Sequence, residues 1–393
     1  MATPLMSPRT FFASHEVLPR MYLSPGRYIQ GPGLLHQIGR YVALLGVRRV
    51  GILASQRGLG AQGVVVADSL AAHSITSVNA MFSGECSIAE IETHVAALAD
   101  QQLDCLIGLG GGKPVDAAKC IAHRLDVPVV IVPTLASNDA PCSALSVVYT
   151  PKGVQEAVEF FPINPAMVLV DTDVVVSASE RYLVAGMGDA MATWYEARIV
   201  SNNSTARTPS GARPTLAACA IGQVCAQTLY EHGESAASAV AATQNNDSVE
   251  AVVEANTLLS GLGFESGGLA LAHALALGCT HIEDIHDNYL HGEMVALGLM
   301  TQLAMEQSED ASKVATFFAR VGLPVHLEQI SMSPQRNAAL DRLIEATLAN
   351  PIAHHMPMSV DGVVLRRAIL DADTLGQAVA KQVGDTAYRK LHA

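Results

Sequence analysis

Apolar residues are distributed so differently along the chain that two unlike halves can be read directly. Up to about residue 178, short β-branched runs alternate with 3.6-residue patterns. Beyond it, long Ala- and Leu-rich helical patterns dominate and strand-like runs are few. In the first half the pattern predicts helices over 34–45, 64–72 and 88–99. The last of these follows a cap at Ser87, with Glu90 three residues on. Strands are predicted over 49–55 (RVGILAS), 75–81, 106–109, 127–132 and 166–170, the last ending at Asp171. Residues up to about 30 read as an extended lead-in, with 1–22 a loose extension, and 135–150 (LASNDAPCSALSVVYT) reads as a turn-rich loop. A further loop is expected over 202–214 (NNSTARTPSGARP).

The stretch 105–134 reads as strand, glycine turn, helix and strand, one βαβ unit, and such units build parallel sheets covered on both faces. Gly110, Gly111 and Gly112 end the first strand, Lys113 follows, and Pro114 suits the first helical turn. Glycines at a strand's carboxyl end, facing the N–H groups of a helix start, make a place for an anion. Pro114 replaces the Ser or Thr of a Walker loop, and Lys113 replaces the third glycine of the dinucleotide fingerprint, so the turn matches neither motif. Taken alone it reads equally as an ordinary tight turn. The expected fold is an α/β N-terminal domain over 1–178 with a Rossmann-like parallel sheet. An all-α helical domain over 179–393 follows.

Composition narrows the partners. With 393 residues, two domains are the default. A formal net charge of -13 argues against nucleic acid and anionic membrane. No apolar run approaches the roughly 20 residues of a membrane span. The N-terminus lacks a hydrophobic signal core, so a cytoplasmic protein is expected. Seven scattered cysteines without a CxxC read as reduced core residues.

In the second half Asp189, His273 and His291 fall on three separate helical segments. A carboxylate and two imidazoles converging inside a helical bundle make a divalent-metal site. On spacing alone the plainer reading prevails, a helix cap, a core histidine and a surface histidine, because the gaps are long and no short ligand motif joins them.

The blocks FSGECS, GLGGGKPVDAAK, ASNDAPCSALSVVYT, GMGDAMATWYEA, LSGLGFESGGLALAHA and YLHGEMVALG occur in one order. Together they make the chain resemble the glycerol dehydrogenases of the iron-containing alcohol dehydrogenase superfamily, from about Tyr28 into the C-terminal helices. The resemblance implies a dehydroquinate synthase-like fold, with Asp189, His273 and His291 as metal ligands. It places Gly111, Gly112, Lys113 and Asp116 near the cofactor pyrophosphate. Thr134, Ser137, Ser143, Leu145 and Tyr149 fall around adenine, ribose and nicotinamide, and Asp139 beside the substrate hydroxyls.

The departures are informative. Iron-using relatives carry a histidine where Thr193 stands, so three protein ligands remain, the arrangement of catalytic zinc. The NAD-using members' ribose-binding aspartate is replaced by Ser55, with Arg57 close by, which opens the site to NADP. Asp287 and Asn288 stand where glycerol dehydrogenases carry adjacent histidines. The expected reaction is therefore metal-dependent hydride transfer between a vicinal diol of the glycerol type and NAD(P), by a homo-oligomer, commonly an octamer by resemblance. An amino alcohol is an alternative substrate, given the charge of Asp139. A lyase of the dehydroquinate synthase type and a non-catalytic metal or nucleotide binder are more distant alternatives.

Overall fold

The computed structural model describes residues 18–151, 153–333 and 337–393, and the expected loose segment 1–17 lies outside them. The chain forms two compact units that meet in sequence between Ala178 and Ser179. Among the described residues, 18–22 belong with the second unit, tied to it by Arg213 N–H donating to Pro19 (2.9 Å) and Met21 N–H to the Arg213 carbonyl (3.3 Å). Those five residues are therefore anchored, in contrast to the loose extension expected over 1–22.

The first unit is built on a six-stranded parallel sheet in the order β1-β8-β5-β4-β2-β3. Its strands are β1 (Tyr28–Gly31), β2 (Arg49–Ser55), β3 (Thr76–Phe82), β4 (Cys105–Gly110), β5 (Val129–Pro133) and β8 (Met167–Asp171). β8 is buried along its whole length, and β4 up to its last residue, as expected of strands covered on both faces. Ile52, Ile107, Val130 and Leu169 pack with Ile38, Val66 and Leu70 of the neighbouring helices in one apolar cluster. After β3 the chain returns past β2 to lay down β4, so the strand order reverses between β2 and β4. In open α/β sheets that is where ligands bind, beyond the carboxyl ends of the strands.

Two readings need correction. Residues 28–31 are not lead-in; they pair with β8 as an edge strand, too short and too polar at Gln30 for the apolar pattern to mark them. The segment 135–150 is not all loop: β6 (Leu145–Tyr149) pairs antiparallel with β7 (Gln155–Phe160) as a separate hairpin. Arg124 on the Gly112–Leu125 helix holds that hairpin through the buried Glu159 carboxylate at 3.0 Å.

The second unit is helical throughout its named elements. The helices Glu180–Asn202, Leu271–Cys279 and His291–Met305 pack on one another at its centre. Among the described residues, no single helix is both long and apolar enough to cross a membrane.

Candidate metal centre and nucleotide turn

Asp189 sits mid-helix and fully buried, so it is not a helix cap. His273 lies in the first turn of Leu271–Cys279, and His291 is the first residue of its own helix and partly exposed. Glycine lets these three helices touch. A Cβ on Gly292 would stand 1.8 Å from the Ala185 carbonyl oxygen, and one on Gly188 would stand 2.3 Å from the Gly292 oxygen. A Cβ on Gly298 would stand 2.1 Å from the Ala272 oxygen. Gly188, Gly292 and Ala272 each adjoin one of the three side chains, so the backbones meet where those residues project. One atom from each side chain then lies within 4.8 Å of the others. His273 Nε2 is 3.2 Å and His291 Nε2 is 3.4 Å from Asp189 Oδ1.

The electrostatics separate the two imidazoles. Burial disfavours a charged His273, but the Glu196 and Asp189 carboxylates overcome it and hold the ring well above the ordinary histidine range. Desolvation instead holds His291 below that range, with Asp189 pulling the other way.

Three residues around the centre escaped the sequence reading. Glu196 is fully buried; its Oε1 accepts from Ala270 N–H (2.8 Å) and His273 N–H (3.0 Å), and its Oε2 accepts from His273 Nδ1 at 2.5 Å. It lies seven residues after Asp189, two turns along one helix face, and that spacing was the available signal. Gln302 accepts from Ala272 N–H at 3.2 Å. Glu293 caps the His291 helix through Leu290 N–H (2.8 Å) and is gripped by Arg181 and His392. These contacts keep the Glu293 carboxyl below its usual range despite its burial. Thr193 shares a hydrogen bond with Ser260 at 2.8 Å, and its methyl stands 2.2 Å from where a Cβ on Gly263 would lie. His281 and His286, the other histidines between the ligand candidates, are not part of the cluster.

In the first unit, Gly110 takes a φ of 147°, and a Cβ there would come within 2.5 Å of Pro114 Cγ. Gly111 precedes the Gly112–Leu125 helix in extended conformation, with no side chain capping its N–H groups. Thr134 N–H donates to the Gly110 carbonyl at 2.9 Å, tying the end of β5 to the turn. Lys113 is exposed and pairs with Glu85 of the FSGECS loop. Asp116 faces inward: its carboxylate meets Lys119 Nζ at 3.0 Å and accepts from Val147 N–H at 3.0 Å. Burial pushes that carboxyl upward against the pull of Lys119. Lys119, also missed in the sequence, donates to Leu145 O (2.6 Å), Ala140 O (2.8 Å) and Ser143 Oγ (3.3 Å).

Ser143 is therefore buried in this scaffold. Ser137, Leu145 and Tyr149 are partly exposed along the segment, and burial raises the Tyr149 phenol far above its ordinary value. Asp139 is buried at the start of the short turn Ala140–Cys142. Ser55 ends β2 and caps the next helical turn by accepting from Gly58 N–H at 3.1 Å, with Arg57 exposed beside it.

Comparison with known proteins gives the family. Residues 25–172 match the family described as iron-containing alcohol dehydrogenase. A glycerol dehydrogenase of Escherichia coli O6:H1 is 42% identical over 92% of this chain and 98% of its own. The crystal structure of glycerol dehydrogenase from Schizosaccharomyces pombe superimposes with a TM-score of 0.88 at 36% identity, covering 94% of each chain. That of a probable glycerol dehydrogenase from Sinorhizobium meliloti gives 0.85 at 36% identity, over 91% of this chain and 99% of that one. The chain belongs to the iron-containing alcohol dehydrogenase family and, within it, to the glycerol dehydrogenases.

Proposed function

We propose that this enzyme oxidises a vicinal diol of the glycerol type with NAD(P), using a zinc ion held by Asp189, His273 and His291. The observation that carries the reading is the convergence of those three side chains. Tetrahedral zinc, with bonds of about 2.0–2.2 Å, spaces its donors roughly 3.3–3.6 Å apart. The two imidazole nitrogens stand 3.2 and 3.4 Å from Asp189 Oδ1, which suits such an ion. Thr193 is committed to Ser260, which favours three protein ligands and zinc over the iron of the family's name.

When bound, the ion lowers the pKa of an alcohol hydroxyl and the nicotinamide accepts the hydride. The chain's own residues do the rest. Asp189 contributes negative charge that offsets the cation, and the neutral form favoured for His291 is the form that ligates. The free N–H groups after Gly111 and the positive end of the Gly112–Leu125 helix suit the cofactor pyrophosphate. Lys113 adds charge at that place, while Thr134, Ser137, Leu145 and Tyr149 border the remainder of the cofactor. Asp116 and Ser143 act from beneath, holding the segment that carries Asp139. Asp139 accepts from a second hydroxyl of the substrate and so selects diols over simple alcohols. Ser55 and Arg57 leave room and charge for a 2′-phosphate, so NADP is accepted.

A panel of vicinal diols, amino alcohols and simple alcohols, assayed with both cofactors after chelation and zinc reloading, tests the reading. It predicts diol turnover lost on chelation and restored by zinc. Restoration by ferrous iron alone overturns the zinc assignment, and a strong preference for NAD overturns the role of Arg57. Homo-oligomeric assembly and a cytoplasmic place belong to the same proposal, and light scattering on the purified protein checks the first.

A further inference from the structure

We infer that Glu196 is the positioning residue of the metal centre, fixing the tautomer and direction of the His273 ring. The inference rests on the metal reading above and deepens it. His273 ligates through one ring nitrogen, and the hydrogen bond made by the other nitrogen decides which one is free. Glu196 Oε2 accepts the Nδ1 proton (2.5 Å), leaving Nε2, the nitrogen 3.2 Å from Asp189, as the one that would give up its proton to a cation and ligate it. Its other oxygen receives the Ala270 and His273 N–H groups, so one carboxylate orients both the ring and the backbone that carries it. The residue is fully buried, and it shares the Glu180–Asn202 helix with Asp189.

A plain helix cap would need only Oε1. Three accepting contacts on two oxygens are more than an amide can reproduce. In a glutamine, either the NH₂ faces Nδ1 and reverses the tautomer, or it faces two N–H donors and clashes. Gln302 supplies an internal control. It caps the same helix at Ala272 N–H from the His291–Met305 helix, while its NH₂ donates to the Tyr195 carbonyl and Glu306 and not to the imidazole.

The test uses the full-length protein stripped with EDTA and titrated with zinc against a chromophoric chelator, with thermal melts on the same samples. Glu196→Gln should bind zinc about 10–100-fold more weakly than wild type, while NAD binding stays unchanged. Glu196→Asp, which keeps the charge, should fall between them. Gln302→Ala should lower the melting temperature yet leave zinc affinity close to wild type. Wild-type affinity in Glu196→Gln, or equal losses in Glu196→Gln and Gln302→Ala, overturns the inference and leaves the metal site standing. If Glu196→Gln does not fold, Glu196→Asp is read against Gln302→Ala by the same criterion. Wild-type protein that binds no zinc sinks the metal reading itself.

Discussion

Glycine does different work in the two units. At Gly110 it permits a backbone turn that side chains resist, and the consequence stays local: the chain reverses from β4 into a helix within three residues. At Gly188, Gly292 and Gly298 the backbone is ordinary helix, and glycine is needed because another helix's carbonyl occupies the space of a Cβ. The turn after β4 is thus made by one contiguous stretch. The cluster of Asp189, His273 and His291 is made by contact between segments remote in sequence, and a methyl added at that contact would meet the backbone beside those side chains.

The sharpest way to break the comparison is at the proposed ligands themselves. Asp189→Asn should cut diol oxidation at least about a thousandfold, roughly 4 kcal/mol of barrier, without loss of helical signal. A variant that keeps a tenth of the wild-type rate would remove Asp189 from the centre. Gly292→Ala comes next. With its Cβ 1.8 Å from a carbonyl oxygen it should cost at least about 3 kcal/mol in denaturant unfolding and weaken zinc binding too. Gly60→Ala, where nothing lies within 4 Å, should change stability by less than about 1 kcal/mol.

Gly110→Ala should act only on the cofactor site proposed for the first unit. The expectation is a rise of roughly tenfold in KM for the cofactor with zinc affinity unchanged; equal damage to both would erase the distinction between turn and contact.

The smallest effect concerns pH. His355 donates through Nδ1 to the Leu269 carbonyl at 2.7 Å, and burial holds its pKa below the ordinary value. The unfolded chain therefore takes up the proton first. Stability is fully present above about pH 6.5 and falls as pH drops through that value. His355→Gln should flatten that slope in melts taken between about pH 5 and 7.

The same contrast explains what could be read in advance. The strands at 49–55, 105–110 and 167–171 announced themselves because strands covered on both faces are unbroken apolar runs. The glycine turn was legible for the same local reason. The edge strand at 28–31 and the hairpin at 145–160 were not, since short, partly exposed strands carry little pattern. Asp189, His273 and His291 were legible only through resemblance to a family, because no spacing rule connects residues on three helices. Glu196 and Lys119 did not stand out in the sequence at all. Charged groups in an apolar helix become meaningful only when their partners arrive from elsewhere in the chain.

The pair formed by Asp116 and Lys119 bears on redesign. Between them they fasten Ala140, Ser143, Leu145 and Val147, so the turn bearing Asp139 and the first strand of the hairpin hang from one helix. Anyone redesigning this turn would do better to transplant 116–147 as a single cassette than to swap loop residues singly, because a foreign loop would strip the buried Lys119 ammonium of its acceptors other than Asp116.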